Sequence, residues 1–213
     1  MSRPTIFSEI VLRRCGKPED AASDGLVFLL SASRPVRQAF QKYVEWVSGL
    51  TLPELVRFEA QVQQQLGGRP DIIASTTDGR QLLFIENKFW AGLTENQPVE
   101  YLKELMRHRG DNDAAALVFV CPDRATAMYS DELRRRVDSA DWDQRKVVNA
   151  HPLLCQLDDR LVLLATSWRN VLDKVFQAAS DANDRQLMED TTQLLGLTRL
   201  RLRPTRHELG IAL

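Results

Sequence analysis

Gly68-Arg69-Pro70-Asp71-Ile72-Ile73 and Leu82-Leu83-Phe84-Ile85-Glu86-Asn87-Lys88 flank the segment Thr76-Thr77-Asp78-Gly79-Arg80. An Asp opens the first apolar run, and Glu and Lys close the second. Asp-Gly between apolar runs is a strong hairpin signal, and a hairpin brings Glu86 back toward Asp71. Side chains alternate along a strand, so Glu86 and Lys88 share one face and Asn87 takes the other. Two carboxylates and an ammonium thus converge on one point. Strand interiors are poor in Asp, Glu and Lys, and burying charge is costly unless it is paired or binds a metal. A functional centre accounts for that cost better than a structural requirement does.

Working outward, residues 54–63 alternate, with Val56, Phe58, Ala60 and Val62 on one face, which predicts a half-exposed strand and a three-strand meander. Ser33-Arg34-Pro35 opens a helix whose apolar stripe is Val36, Ala39, Phe40, Tyr43, Val44 and Val47, and Gly49 ends it. Before it, residues 4–14 read as a first helix carrying Glu9, and residues 16–24 as a polar connection. After the hairpin, residues 95–109 read as a helix with Val99, Leu102, Leu105 and Met106 on one side. The wholly apolar Ala115–Cys121 predicts a strand buried on both faces. Ser130-Asp131-Glu132 reads as the cap of a basic helix containing Arg134, Arg135 and Arg136. Residues 146–148 suggest a strand, 161–165 a strand or a helix, and 167–179 a helix packing Trp168, Val171, Leu172, Val175 and Phe176. The expected class is α/β.

Taken in order, Pro70-Asp71, Glu86-Asn87-Lys88 and the pair Gln97 and Tyr101 resemble the signature of the PD-(D/E)XK phosphodiesterase superfamily, the fold of many restriction, recombination and repair nucleases. The text from Leu82 through Leu105 looks like a bacterial branch with a Gln-x-x-x-Tyr extension. The resemblance implies a restriction-endonuclease-like core, a mixed central sheet flanked by helices, over residues 1–165. A C-terminal helix and basic tail over 166–213 would pack on it. It also implies a Mg²⁺-dependent nuclease, with Mn²⁺ as substitute, hydrolysing phosphodiester bonds in DNA, in the cytoplasm, within bacterial defence or repair.

The same resemblance assigns roles. Asp71, Glu86 and the backbone carbonyl of Asn87 would ligate the metal, joined by Glu9 from the early helix. Lys88 would stabilise the attacking oxygen or the developing negative charge. Gln97 and Tyr101, four apart and so on one helical face, would orient a phosphate, a water or Lys88. Trp90 is a candidate for stacking on a base. Arg199, Arg201 and Arg203 alternate with Leu200 and Leu202, so an extended segment there would align three guanidiniums toward phosphates. Arg134, Arg135 and Arg136 are locally neutralised by Asp131, Glu132 and Asp138. Cutting both strands of a duplex calls for two active sites, which a homodimer would provide. The alternative is a non-catalytic module that keeps the fold and binds nucleic acid or a protein partner.

The bulk numbers bound these readings. At 213 residues, with 44% hydrophobic and 27% charged content, the chain suits an ordinary globular domain with a proper core. Twenty-eight basic residues against 29 acidic give a net charge of −1, where nucleic-acid binders are usually basic. Local patches rather than totals attract phosphates, and a carboxylate metal site itself lowers the total. No apolar run reaches the roughly 18 residues of a membrane span, and the N-terminus has no signal-peptide pattern. Three widely spaced Cys fit a reducing compartment rather than a disulfide framework. Three scattered His speak against structural zinc, and no glycine-rich phosphate loop is present.

Overall fold

In a computed structural model of the protein the described residues are 18–60, 69–89, 92–95, 97–110, 112–140, 142, 146–149 and 153–201. The helix expected over 4–14 with Glu9, the aromatic Trp90, and Arg203 lie outside them. The hairpin forms as the Asp-Gly signal requires. The Thr76 N–H donates to Arg80 O at 3.0 Å and the Gly79 N–H to Thr76 O at 3.0 Å. Gly79 has φ 86°, a conformation that a side chain resists. Strands β1 (Arg57–Ala60), β2 (Ile72–Ser75) and β3 (Gln81–Asn87) make the expected antiparallel meander. In β1, Phe58 is buried between exposed Arg57 and Glu59, as half-exposed alternation demands.

Beyond the meander the sheet turns parallel. β4 (Ala115–Cys121) is buried at every position and runs parallel to β3 on one side and to β7 (Leu161–Ser167) on the other. A strand enclosed on both faces has no solvent side to make polar, hence its unbroken apolar text. The run at 161–165 is therefore a strand and not a helix. β6 (Leu154–Asp158) and β5 (Lys146–Asn149) finish the sheet as an antiparallel ribbon, in the order β1-β2-β3-β4-β7-β6-β5. β6 has no counterpart among the expected elements, because Gln156 and Asp158 interrupt its short apolar pattern.

Helices cover both faces. Helices α1 (Pro18–Ala32), α2 (Arg34–Ser48), α5 (Trp168–Asp181) and α6 (Arg185–Arg201) pack with Ile85, Val118, Val120 and Leu164 on one face. Helices α3 (Val99–His108) and α4 (Thr126–Ser139) pack with Phe84, Leu117, Phe119 and Leu163 on the other. This mixed sheet with flanking helices is the restriction-endonuclease-like α/β fold, and α5 and α6 supply the C-terminal helices. At the sheet's C-terminal edge, Phe89 stacks on Trp168 with centroids 5.7 Å apart and 11° between planes. Such a contact contributes about 0.5–1.5 kcal/mol beyond area burial, and it ties the end of β3 to the start of α5.

Four expectations are corrected. The connection expected over 16–24 is mostly the first turns of α1, where Pro18 and the acidic Glu19 and Asp20 are ordinary start signals. The small polar run Ala21-Ala22-Ser23-Asp24-Gly25 conceals them. The helix expected over 95–109 begins at Val99, after the Gln97–Pro98 bond. Ser130 is not a cap but a buried residue inside α4, which starts at Thr126 after a short 3₁₀ turn. The stripe expected to be extended is helical through Arg201.

α2 behaves as its text foretells. Ser33 accepts the Val36 N–H at 3.5 Å, and Gly49 closes the helix at φ 71° with its N–H on Glu45 O at 2.8 Å. No atom crowds the place a Cβ would occupy at Gly49, so only backbone strain opposes a side chain there. Gly49→Ala is expected to cost about 1–2 kcal/mol, read as a lowered melting temperature, whereas an unchanged melt would show that the cap carries no strain.

Candidate active site

The hairpin register does the assembling. Ile72 lies opposite Ile85, which sets Asp71, one residue before β2, beside Glu86 near the end of β3. Asp71 Oδ2 accepts the Asn87 N–H at 2.7 Å, so the carboxylate is fixed by the backbone of the opposing strand. Alternation then separates the next three side chains. Glu86 and Lys88 turn to the α3/α4 side, and Lys88 Nζ lies 3.0 Å from Glu86 Oε1 with both residues 5% exposed. Asn87 turns the other way, and its Nδ2 donates to Ser23 Oγ on α1 at 2.7 Å.

Gln97 and Tyr101 complete the cluster. Gln97 stands in the turn before α3 rather than on the helix, and it is 3% exposed. Its Oε1 accepts the Thr94 N–H at 3.2 Å, which leaves Nε2 to donate to Glu86 Oε1 at 2.6 Å and to Tyr101 Oη at 3.3 Å. The amide orientation is thereby determined by its own partners. The residue spacing still brings Gln97 and Tyr101 together, although the face-sharing argument assumed one helix.

Glu19 is the member that sequence reasoning missed. It lies in the first turn of α1, and its Oε1 accepts the Phe89 N–H at 2.9 Å, just past Lys88. Its negative charge is felt at Asp71. The available signal was an acidic residue directly after Pro18, at a helix start that was read as a connection. Glu59, which faces away from the apolar side of its strand, is exposed on the edge strand β1.

The electrostatics follow from burial. Asp71 is pushed up to about 8, first by burial and then by the neighbouring Glu86, against the Asn87 N–H and the Lys88 charge. Burial also lifts Glu86, against Lys88 and Gln97, which favour its ionised form. Tyr101 is raised to about 12 by burial and by the charge of Glu86, so it stays a hydroxyl. Asp71 and Glu86 therefore share one ammonium, and Glu86 Oε2 is buried with no hydrogen-bond partner among the described residues. A hard divalent cation takes carboxylate and carbonyl oxygens and relieves such repulsion. The donors suit that use: Asp71, Glu86 and the Asn87 carbonyl, with Glu19 alongside. Among the described residues no three His, Cys, Asp or Glu side chains are grouped for coordination, so a backbone oxygen and water would complete the shell.

An α/β sandwich carrying an Asp and a Glu-x-Lys on adjoining antiparallel strands is the architecture of a restriction-endonuclease-like nuclease domain. The family model described as the PD-(D/E)XK nuclease superfamily matches residues 53–186, well over half of the chain, and the protein belongs to that superfamily. No curated protein and no solved structure gives a match. Among the described residues no helix is long and apolar enough to cross a membrane.

Proposed function

We propose that the protein is a Mg²⁺-dependent deoxyribonuclease whose catalytic residues are Asp71, Glu86, Lys88, Gln97 and Tyr101. The observation that carries this reading is the buried Lys88–Glu86 contact of 3.0 Å beside Asp71. A carboxylate pair with its own ammonium, held at the end of a buried strand, is expensive as mere structure. It is useful where charge must be gathered on a phosphate. Asp71, Glu86 and the Asn87 carbonyl are the groups that would hold the metal. When bound, Mg²⁺ would acidify water and polarise the phosphoryl oxygen.

The chain's own groups divide the remaining work. Lys88 brings a positive charge to the point where negative charge grows on the phosphate oxygens, which favours the transition state over the ground state. Glu86 keeps that ammonium in place through Oε1 and leaves Oε2 buried with no hydrogen-bond partner among the described residues. Gln97 donates to the same Oε1 and so fixes the rotation of the carboxylate. The Tyr101 hydroxyl, neutral at physiological pH, steadies Gln97. Membership of a nuclease superfamily supports nucleic acid as the substrate class, and resemblance favours DNA and a setting in bacterial defence or repair.

The decisive experiment is a cleavage panel of circular, linear and single-stranded DNA and of RNA with Mg²⁺, Mn²⁺ or EDTA. DNA should be cut with either metal and spared in EDTA. Conversion of circles to nicked rather than linear product would report one active site acting at a time, and direct linearisation would favour a homodimer. A protein that gains no thermal stability from either metal and cuts none of the substrates would be a binding module instead.

A further inference from the structure

We infer that Arg136, on α4, is a positioning residue that holds Gln97 in the orientation needed by Glu86; the inference rests on the proposed place of Gln97 in the active site. One guanidinium takes three backbone carbonyls of the turn between β3 and α3. Its Nη1 donates to Thr94 O and, at 2.9 Å, to Gln97 O, and its Nη2 donates to Leu93 O at 3.1 Å. Its Nε donates to Glu132 Oε1 at 2.7 Å, which holds the planar fork against the turn from behind. The side chain belongs to the basic run whose charge Asp131, Glu132 and Asp138 locally neutralise. Its donors are instead spent inside the protein.

The path from Arg136 to the carboxylate is short. Arg136 grips the carbonyls of Thr94 and Gln97, and the Thr94 N–H holds Gln97 Oε1 at 3.2 Å. That bond forces Nε2 toward Glu86 Oε1, 2.6 Å away. Within the turn the Gln97 N–H donates to Thr94 O at 3.1 Å, and the guanidinium adds three further bonds to its carbonyls. A turn released from this grip lets the amide flip or withdraw, and Glu86 loses a donor that competes with nothing else for Oε1 except Lys88. A lysine cannot replace the fork, because an ammonium lacks the planar set of donors that reaches three carbonyls at once.

The test uses metal-free ¹⁵N-labelled protein and an activity cycle. The Gln97 side-chain amide signals are assigned by their loss in Gln97→Glu. In Arg136→Lys they should move toward random-coil positions while the backbone spectrum stays dispersed. In the activity arm, Arg136→Lys should lower kcat about tenfold with KM unchanged, since small misplacements at reacting groups are costly. On a Gln97→Ala background the same change should cost less than about twofold, because coupled residues are not additive. An unmoved Gln97 amide in a folded Arg136→Lys protein overturns the inference, as does full additivity with Gln97→Ala. Should Arg136→Lys fail to fold, Glu132→Ala removes the Nε anchor together with the exposed contact to Arg135, and its Gln97 amide must shift in the same direction, with Arg135→Ala leaving it in place, or the inference falls. A wild-type protein that cuts nothing sinks the nuclease reading, and the amide signals still decide the role of Arg136.

Discussion

Lys88→Ala is expected to reduce DNA cleavage by about 10²–10³-fold, the range seen when one preorganised charge-stabilising donor is removed, while Mn²⁺ still raises the melting temperature. The ammonium touches Glu86 and is shut away from water, so it acts at nearly full strength on charge formed beside it. The carboxylates that would hold the metal remain. Their protonation changes, because Lys88 is among the influences that favour the ionised form of both Asp71 and Glu86. Its removal raises both, so the alkaline shift of the pH–rate profile should accompany the loss of rate. Lys88→Met, which keeps the volume, separates packing from charge. Single-turnover nicking gives the rate, and melts with and without Mn²⁺ report metal binding. Undiminished nicking by either variant would end the role assigned to this lysine.

Asp71→Asn is expected to abolish cleavage and yet stabilise the metal-free protein at alkaline pH. The native carboxyl holds its proton up to about 8, against 3.8 for the ordinary group. An acid whose folded value is raised binds its proton more tightly when folded, so its contribution to stability falls as pH rises from about 4 to about 8. Above that window the ionised native group sits buried beside Glu86 and is destabilising. Asn is neutral throughout and retains an oxygen for the Asn87 N–H. Variant and wild type should therefore melt alike near pH 4, and the variant should melt higher at pH 9. Each kcal/mol moves the midpoint by roughly 2–4 °C in a domain of this size. The stabilisation that wild type gains from Mn²⁺ should be largely missing. A variant that melts lower than wild type at pH 9 would show that Asp71 is not held at a raised value by its surroundings.

The parts that were legible in the text are those where local chemistry and tertiary placement agree. Asp78-Gly79 sets the turn, the turn sets the register, and the register brings Asp71 to Glu86 without help from any distant segment. Ser33 and Gly49 bracket α2 for the same reason, since a cap is read from a few residues. What escaped was decided by partners far along the chain. Glu19 reaches the site because α1 packs against the sheet, and no periodicity in residues 16–24 announces that. Gln97 was placed on a helix that begins two residues later. β6 owes its strand to β5 and β7 on either side rather than to a pattern of its own. Arg136 looked like a surface cation because the three carbonyls that bind it belong to a turn whose shape the text does not show.

The bonds from Glu19 to the Phe89 N–H and from Ser23 to Asn87 span sequence separations of 70 and 64 residues. Both α1 residues precede residue 53, where the family match begins. The stretch that identifies the superfamily is thus smaller than the unit that builds its candidate site. A fragment cut at that border would keep Asp71, Glu86, Lys88 and Gln97 but would leave the Phe89 N–H and the Asn87 amide without their partners. It would also uncover the sheet face on which Leu26, Leu29 and Leu30 lie. For anyone dissecting or grafting this domain, the workable boundary is set by the reach of α1 and not by the outline of the motif.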